Sequence, residues 1–141
     1  AMTGYWNNEE ASAKTLREGR IFSGDLGWQD ADGYVYLAGR KAQMIIRGGE
    51  NVYPAEVETV LLSAPGVRDG VILGLPDETW GEIVVAVVVP AGPECDEKTI
   101  IAFCRQHLAS YKSPERVVFC DALPYNAAGK VMRHKLLEDL G

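Results

Sequence analysis

Residues 123–136 read LPYNAAGKVMRHKL. Lys130 follows a glycine and two alanines, so a turn here lets its ammonium reach outward, and Arg133 and Lys135 come shortly after it. Free extension from a turn suits a lysine meant to reach something. It equally suits an ordinary solvated loop lysine. A second candidate is Gly48-Gly49-Glu50-Asn51, where paired glycines allow either close backbone approach to a ligand or a tight turn. The third is Asp25 in Ser23-Gly24-Asp25-Leu26-Gly27. By itself it reads as a turn aspartate, common in Gly-Asp contexts. Gly129-Lys130 lacks the upstream glycine and the following Ser or Thr of a phosphate-binding loop, and no GxGxxG run is present.

These residues sit in a chain of 141 residues, 47% hydrophobic and 24% charged, as in ordinary globular domains. Such a chain can bury roughly 68% of the surface it exposes unfolded. A formal charge of −6 argues against a broad nucleic-acid surface, while local cations can still hold a small anion. Cys95, Cys104 and Cys120 are odd in number and form no CxxC pair, and no histidine stands at zinc-ligand spacing. They read as reduced thiols, and no metal site is expected. No secretory leader is recognisable, and the longest apolar run, Ile83–Pro90, is too short to span a bilayer. A cytoplasmic protein is the expectation.

Several elements must position the candidates. Asn8 can cap a helix over Glu9–Arg17, stopped at Gly19. Ile21–Phe22 and Tyr34–Leu37 read as strands with turn-rich sequence between them. After Gly39, Met44–Ile46 reads as a short strand and Arg47–Asn51 as a loop. Pro54 suits the first turn of a helix whose apolar face is Val57, Val60, Leu61 and Ala64. Glu56 and Glu58 are read as favouring that helix through its dipole. Val67–Leu75 and Glu82–Val89 are strands, the second with the unbroken apolar run of a central position. Asp96 caps a helix with Ile100, Phe103, Cys104 and Leu108 on one face. Arg116–Cys120 is a further strand and Val131–Leu140 a terminal helix. The expected fold is α+β: a short central sheet of about three strands packed by helices, preceded by the tail of a larger domain.

Taken in order and spacing, three stretches closely resemble the C-terminal end of the adenylate-forming superfamily, which includes acyl-CoA synthetases and carrier-protein adenylation domains. They are Ser23-Gly24-Asp25-Leu26-Gly27, Gly39-Arg40 with the segment Met44–Glu58, and Pro124–Arg133. The resemblance covers nearly the whole chain. It implies that residues 1–40 are the tail of a large N-terminal domain and residues 41–141 a mobile lid, inactive without its missing partner domain.

It further implies two half-reactions using ATP, Mg²⁺ and CoA. A carboxylic acid attacks the α-phosphate to give an acyl-adenylate, and a thiol then displaces AMP. Lys130 would be the catalytic cation of the first step, with Asp25 and Arg40 binding the nucleotide. Gly48, Gly49, Glu50 and Asn51 would line the thiol's entry path. Trp80, Tyr111 and Lys112 would meet CoA, although Ser113 and Glu115 stand where relatives often carry basic residues. The hinge would be Ala42, followed by Gln43, where a charged residue and an acid are usual. A freestanding non-catalytic module and an adenylation domain loading a carrier-protein thiol are the alternatives. His107 and His134 are read as surface residues.

Overall fold

Asn8 opens the first helix. In the computed structural model, which describes residues 2–141, its side chain accepts the Ala11 N–H at 2.9 Å, and α1 (Glu9–Thr15) follows. Two small antiparallel hairpins complete a compact unit ending at Ala42. They are β1 (Leu16–Arg17) with β2 (Arg20–Ile21), and β3 (Asp25–Gln29) with β4 (Val35–Arg40). The Gly24–Gly27 stretch reads as a turn in sequence, yet most of it is strand. Gly27 adjoins a register shift where a β-carbon would come within 2.5 Å of the Tyr36 carbonyl oxygen. The glycine therefore marks close approach of two strands. Asp30 shapes the connection to β4 by accepting the N–H groups of Asp32 and Tyr34 and the Tyr36 hydroxyl.

The second unit, Gln43–Gly141, contains β5 (Ile45–Arg47), β6 (Glu50–Val52), α2 (Pro54–Leu61), β7 (Val67–Asp77), β8 (Gly81–Pro90), α3 (Glu97–His107), β9 (Arg116–Phe119) and α4 (Arg133–Leu140). These elements make the α+β fold. The sheet runs β6-β5-β8-β7, and β9 lies parallel to β8. It has five strands, where sequence leads one to expect about three. The extra pieces are short: β5 meets β8 only through Arg47 opposite Gly81. β6 reads as loop because Glu50 and Asn51 have low strand preference, and pairing with β5 overrides it.

β8 is central, flanked by β7 on one side and by β5 and β9 on the other. Its valine run is buried on both faces for a visible reason. Val84, Ala86 and Val88 pack with Ile72, Val57, Leu61, Ile100 and Cys104 on the α2–α3 side. Val87 and Val89 pack with Val71, Leu73, Leu123 and Leu136 on the α4 side. Alternate residues of a strand point to opposite faces, so two covered faces require an unbroken apolar run. Full burial of one such side chain is worth roughly 1.5–3 kcal/mol.

Carboxylates finish what the strands leave open. Glu58 Oε1 accepts the Ile72 N–H at 2.9 Å, Glu97 Oε1 the Val117 N–H at 2.9 Å, and Glu82 Oε2 the Ile46 N–H at 2.7 Å. Asp96 caps α3 by accepting the Thr99 N–H. The three cysteines form no disulfide, and burial pushes each thiol above its ordinary range, which disfavours the reactive thiolate. Among the described residues, no helix is long and apolar enough to cross a membrane.

Candidate active site

Lys130 closes a turn built around one side chain. Asn126 Oδ1 accepts the N–H groups of Ala128 (3.0 Å) and Lys130 (2.9 Å), and the Asn126 N–H donates to the Lys130 carbonyl at 2.9 Å. Tyr125 and Val131 face each other across the base of the turn in a single antiparallel bridge. Lys130 is exposed, and among the described residues it makes no ion pair. A lysine held by its backbone with its charge uncommitted can be offered to an incoming anion.

The base of the turn is fastened on both sides. Tyr125 donates its hydroxyl to Asp69 Oδ2 at 2.6 Å. Arg133 donates to the Ile72 carbonyl and pairs with Glu58 Oε1 at 2.5 Å. The hydrogen bond to Asp69 raises the Tyr125 phenol above its ordinary value, with burial and the Asp69 charge acting in the same direction. A raised folded-state value means this contact contributes fully below the unfolded tyrosine pKa and is lost as pH rises through the folded one. The stability difference between the chain and Tyr125→Phe should therefore hold steady below the ordinary tyrosine range, centred at about pH 10, and shrink as pH rises above it. Urea midpoints measured on both sides of that range check this, and a difference that does not shrink would refute it.

Gly48 and Gly49 form the two-residue turn joining β5 to β6, with φ values of +56° and +86°. Both conformations favour glycine, and such turns match the twist of paired strands. The Gly48 N–H donates to the Trp80 carbonyl at 2.7 Å, and a β-carbon at Gly48 would stand 2.9 Å from the Trp80 ring. Glu50 and Asn51, on β6, are exposed.

Trp80 is 47% exposed and lies under the Arg47 guanidinium, whose carbon is 5.1 Å from the ring centroid. Arg47 links the remaining members of this cluster. It pairs with Glu115 at 2.5 Å and donates to the Tyr111 carbonyl at 3.3 Å. Lys112 follows Tyr111 and donates to both oxygens of Glu56, at 2.7 and 2.8 Å. That hydrogen bond raises the Lys112 pKa, against an opposing effect of burial. Ser113 is buried, and its hydroxyl has no hydrogen-bond partner among the described residues.

In the first unit, Asp25 and Arg40 are cross-strand partners joined by an ion pair of 2.7 Å. Asp25 lines a cleft of about 530 Å³ together with Arg17, Phe22, Ser23 and Lys41. The unit ends at Ala42, within a 3₁₀ turn over Lys41–Gln43. Among the described residues, no group of three or more His, Cys, Asp or Glu side chains could hold a metal ion. His107 and His134 are exposed.

Thus the structure brings Asp25 to Arg40, and gathers the glycine turn, Trp80, Tyr111 and Lys112 around Arg47. Lys130 stands apart from both, in a turn between β9 and α4 whose flanks are fastened to β7. Sequence reasoning missed Arg47 as the link and missed the partners of two glutamates. Glu56 and Glu58 do more than favour a helix dipole, since each holds a distant cation. Their spacing of two residues, which turns them to different sides of α2, is the only signal the sequence offers.

The sequence profile of the AMP-binding enzyme C-terminal domain family matches residues 56–130. The chain is 49% identical over 134 residues to a 2-succinylbenzoate–CoA ligase of Geobacillus kaustophilus, covering 94% of this chain and 27% of that protein. It is 46% identical over 134 residues to the long-chain-fatty-acid–CoA ligase FadD13 of Mycobacterium tuberculosis, covering 95% and 27% respectively. The o-succinylbenzoate CoA synthetase (MenE) from Bacillus subtilis, solved with its acyl-adenylate intermediate, superposes with a TM-score of 0.90 at 39% identity, over 96% of this chain and 28% of that one. The chain thus spans about a quarter of the length of the curated relatives it matches.

Proposed function

The chain belongs to the AMP-binding enzyme C-terminal domain family, and on that premise we propose that it is the lid of an ATP-dependent acyl-CoA synthetase. In the first half-reaction a carboxylate oxygen attacks the α-phosphorus of ATP, and pyrophosphate leaves. Lys130 stabilises the charge that builds on the phosphate as two anions meet. Asp25 accepts hydrogen bonds from the ribose hydroxyls, and Arg40, held beside it, supports the ribose and phosphate. In the second half-reaction the CoA thiol attacks the acyl carbon, and AMP leaves. The Gly48-Gly49 turn, with Glu50 and Asn51, borders the path of the thiol, and Trp80, Tyr111 and Lys112 meet the CoA nucleotide.

The observation that carries this reading is that two exposed turns are fastened at different points along the β7–β8 ribbon. The Lys130 turn is fastened at Asp69 and Ile72, while the glycine turn is fastened beside Gly81, opposite Asp77. Five to eight residues of β7 separate them, about 17–26 Å at about 3.3 Å per residue. That separation supports a lid that offers one turn or the other to a single reaction centre. Reorientation about Ala42, between residues 1–40 as the tail of a large domain and residues 41–141 as the lid, exchanges the two. Exposed Trp28, Tyr34, Val35 and Leu37 on the first unit support packing against that large domain.

The test is a screen of carboxylic acids on the full-length protein that carries this chain. Acid-dependent exchange of pyrophosphate into ATP and CoA-dependent release of AMP are expected, with neither from the 141-residue chain alone. Failure of every acid to support exchange would overturn the reading. One observation favours a carrier-protein acceptor as the second reading: Glu56 engages Lys112, and Glu115 engages Arg47, which leaves few free cations for CoA phosphates. AMP release driven by a phosphopantetheinylated carrier protein, and not by CoA, would select it.

A further inference from the structure

We infer that Arg133 and Glu58 are positioning residues for Lys130, a clamp that sets where its ammonium stands during adenylate formation. The inference rests on the assignment of Lys130 to the α-phosphate. Arg133 lies three residues beyond Lys130, at the start of α4. One of its guanidinium nitrogens donates to the Ile72 carbonyl, and another pairs with Glu58 Oε1. The same Glu58 oxygen accepts the Ile72 N–H at 2.9 Å. Four polar groups therefore close on one another: a guanidinium, a carboxylate, and both backbone groups of one residue of β7.

The side chains of Glu58 and Arg133 are each 20% exposed, so solvent competes little for the pair. Two residues of the same strand hold the turn. Ile72 holds its C-terminal side through Arg133, and Asp69 its N-terminal side through Tyr125. Between these points Met132 N–H donates to the Pro124 carbonyl at 2.7 Å. The turn itself is exposed, and Lys130's side chain makes no ion pair among the described residues. Its location thus derives from its two fastenings. Of these, only the Arg133 side carries a charge-assisted fork, the geometry best able to fix direction as well as distance.

Displacement of a catalytic group by about 1 Å can cost on the order of 10²-fold in rate. In the full-length enzyme, Arg133→Met should lower acyl-adenylate formation by about 10–100-fold and leave thioester formation from supplied acyl-adenylate unchanged. That variant strands the Glu58 carboxylate and will also lower the melting temperature. The double variant Glu58→Gln with Arg133→Met removes both charges, so most of the thermal loss should be regained while adenylate formation stays low. Recovery of adenylate formation together with stability would overturn the inference, because the pair would then matter only to folding. Equal loss in both half-reactions at native stability would overturn it too. Lys130→Ala, run alongside, separates the two claims. Normal adenylate formation in that variant would defeat the assignment of Lys130 itself, whereas a strong Lys130 effect with a silent double variant defeats only the clamp.

Discussion

Lys130→Ala in the full-length protein is expected to slow acyl-adenylate formation by about 10²–10³-fold, the usual cost of deleting one preorganised charge donor. Transfer of the acyl group from supplied acyl-adenylate to CoA should proceed at its normal rate. The asymmetry follows from geometry. The Asn126-centred turn holds the backbone of Lys130 through bonds at both its N–H and its carbonyl, so removing the side chain leaves the turn intact. No other element of the unit depends on the ammonium, which makes no ion pair among the described residues. The variant should therefore melt with the parent. Lys130→Arg should recover only part of the lost rate, because a planar fork cannot replace a compact charge at one fixed point. Pyrophosphate exchange measured beside single-turnover thioester formation checks the prediction. Equal losses in both half-reactions would remove Lys130 from its assigned role.

Gly49→Leu is expected to act in the opposite sense, reducing thioester formation by about 10²-fold and sparing adenylate formation. At Gly49 the backbone has φ +86°, and a β-carbon would meet nothing within 4 Å. The leucine side chain therefore projects into open space beyond the turn, where the thiol is proposed to pass. The left-handed backbone costs about 1–2 kcal/mol, a strain that two paired strands and the Trp80 carbonyl can absorb. Gly48 is a poorer place to test the path. A β-carbon there would strike the Trp80 ring at 2.9 Å and disturb the Arg47 cluster as well. Normal CoA transfer by the Gly49 variant would remove this turn from the thiol path.

What sequence could reveal about this chain divides along physical lines. Helix starts were legible because capping is local: Asn8, Pro54 and Asp96 each stand where a helix begins. The centre of the sheet was legible because burial on both faces demands an apolar run, and Val84–Val89 supplies one. β3 and β6 were not, since Gly27 and Glu50-Asn51 carry turn-like character that only cross-strand pairing overrides. The site followed the same rule. Lys130, the glycine pair, Asp25 and Arg40 could be singled out from type and spacing. The ion pairs of Glu56 with Lys112, Arg47 with Glu115 and Glu58 with Arg133 join residues 56, 68 and 75 positions apart. Such partners exist only once helices have docked on the sheet, and single-sequence pattern does not encode them.

The carboxylates on the backbone have a consequence for how the domain keeps company. A strand at the rim of a sheet is a template on which a passing chain can add a strand of its own. Here Glu58 and Arg133 occupy both polar groups of Ile72 on the outer side of β7, and Glu97 occupies the Val117 N–H on the outer side of β9. The remaining rim, β6, is three residues long, too short to seed a ribbon. The reorientation proposed for this domain would expose such rims to solvent. With Ile72 and Val117 already engaged by its own side chains, an added strand would find the ladder interrupted at both.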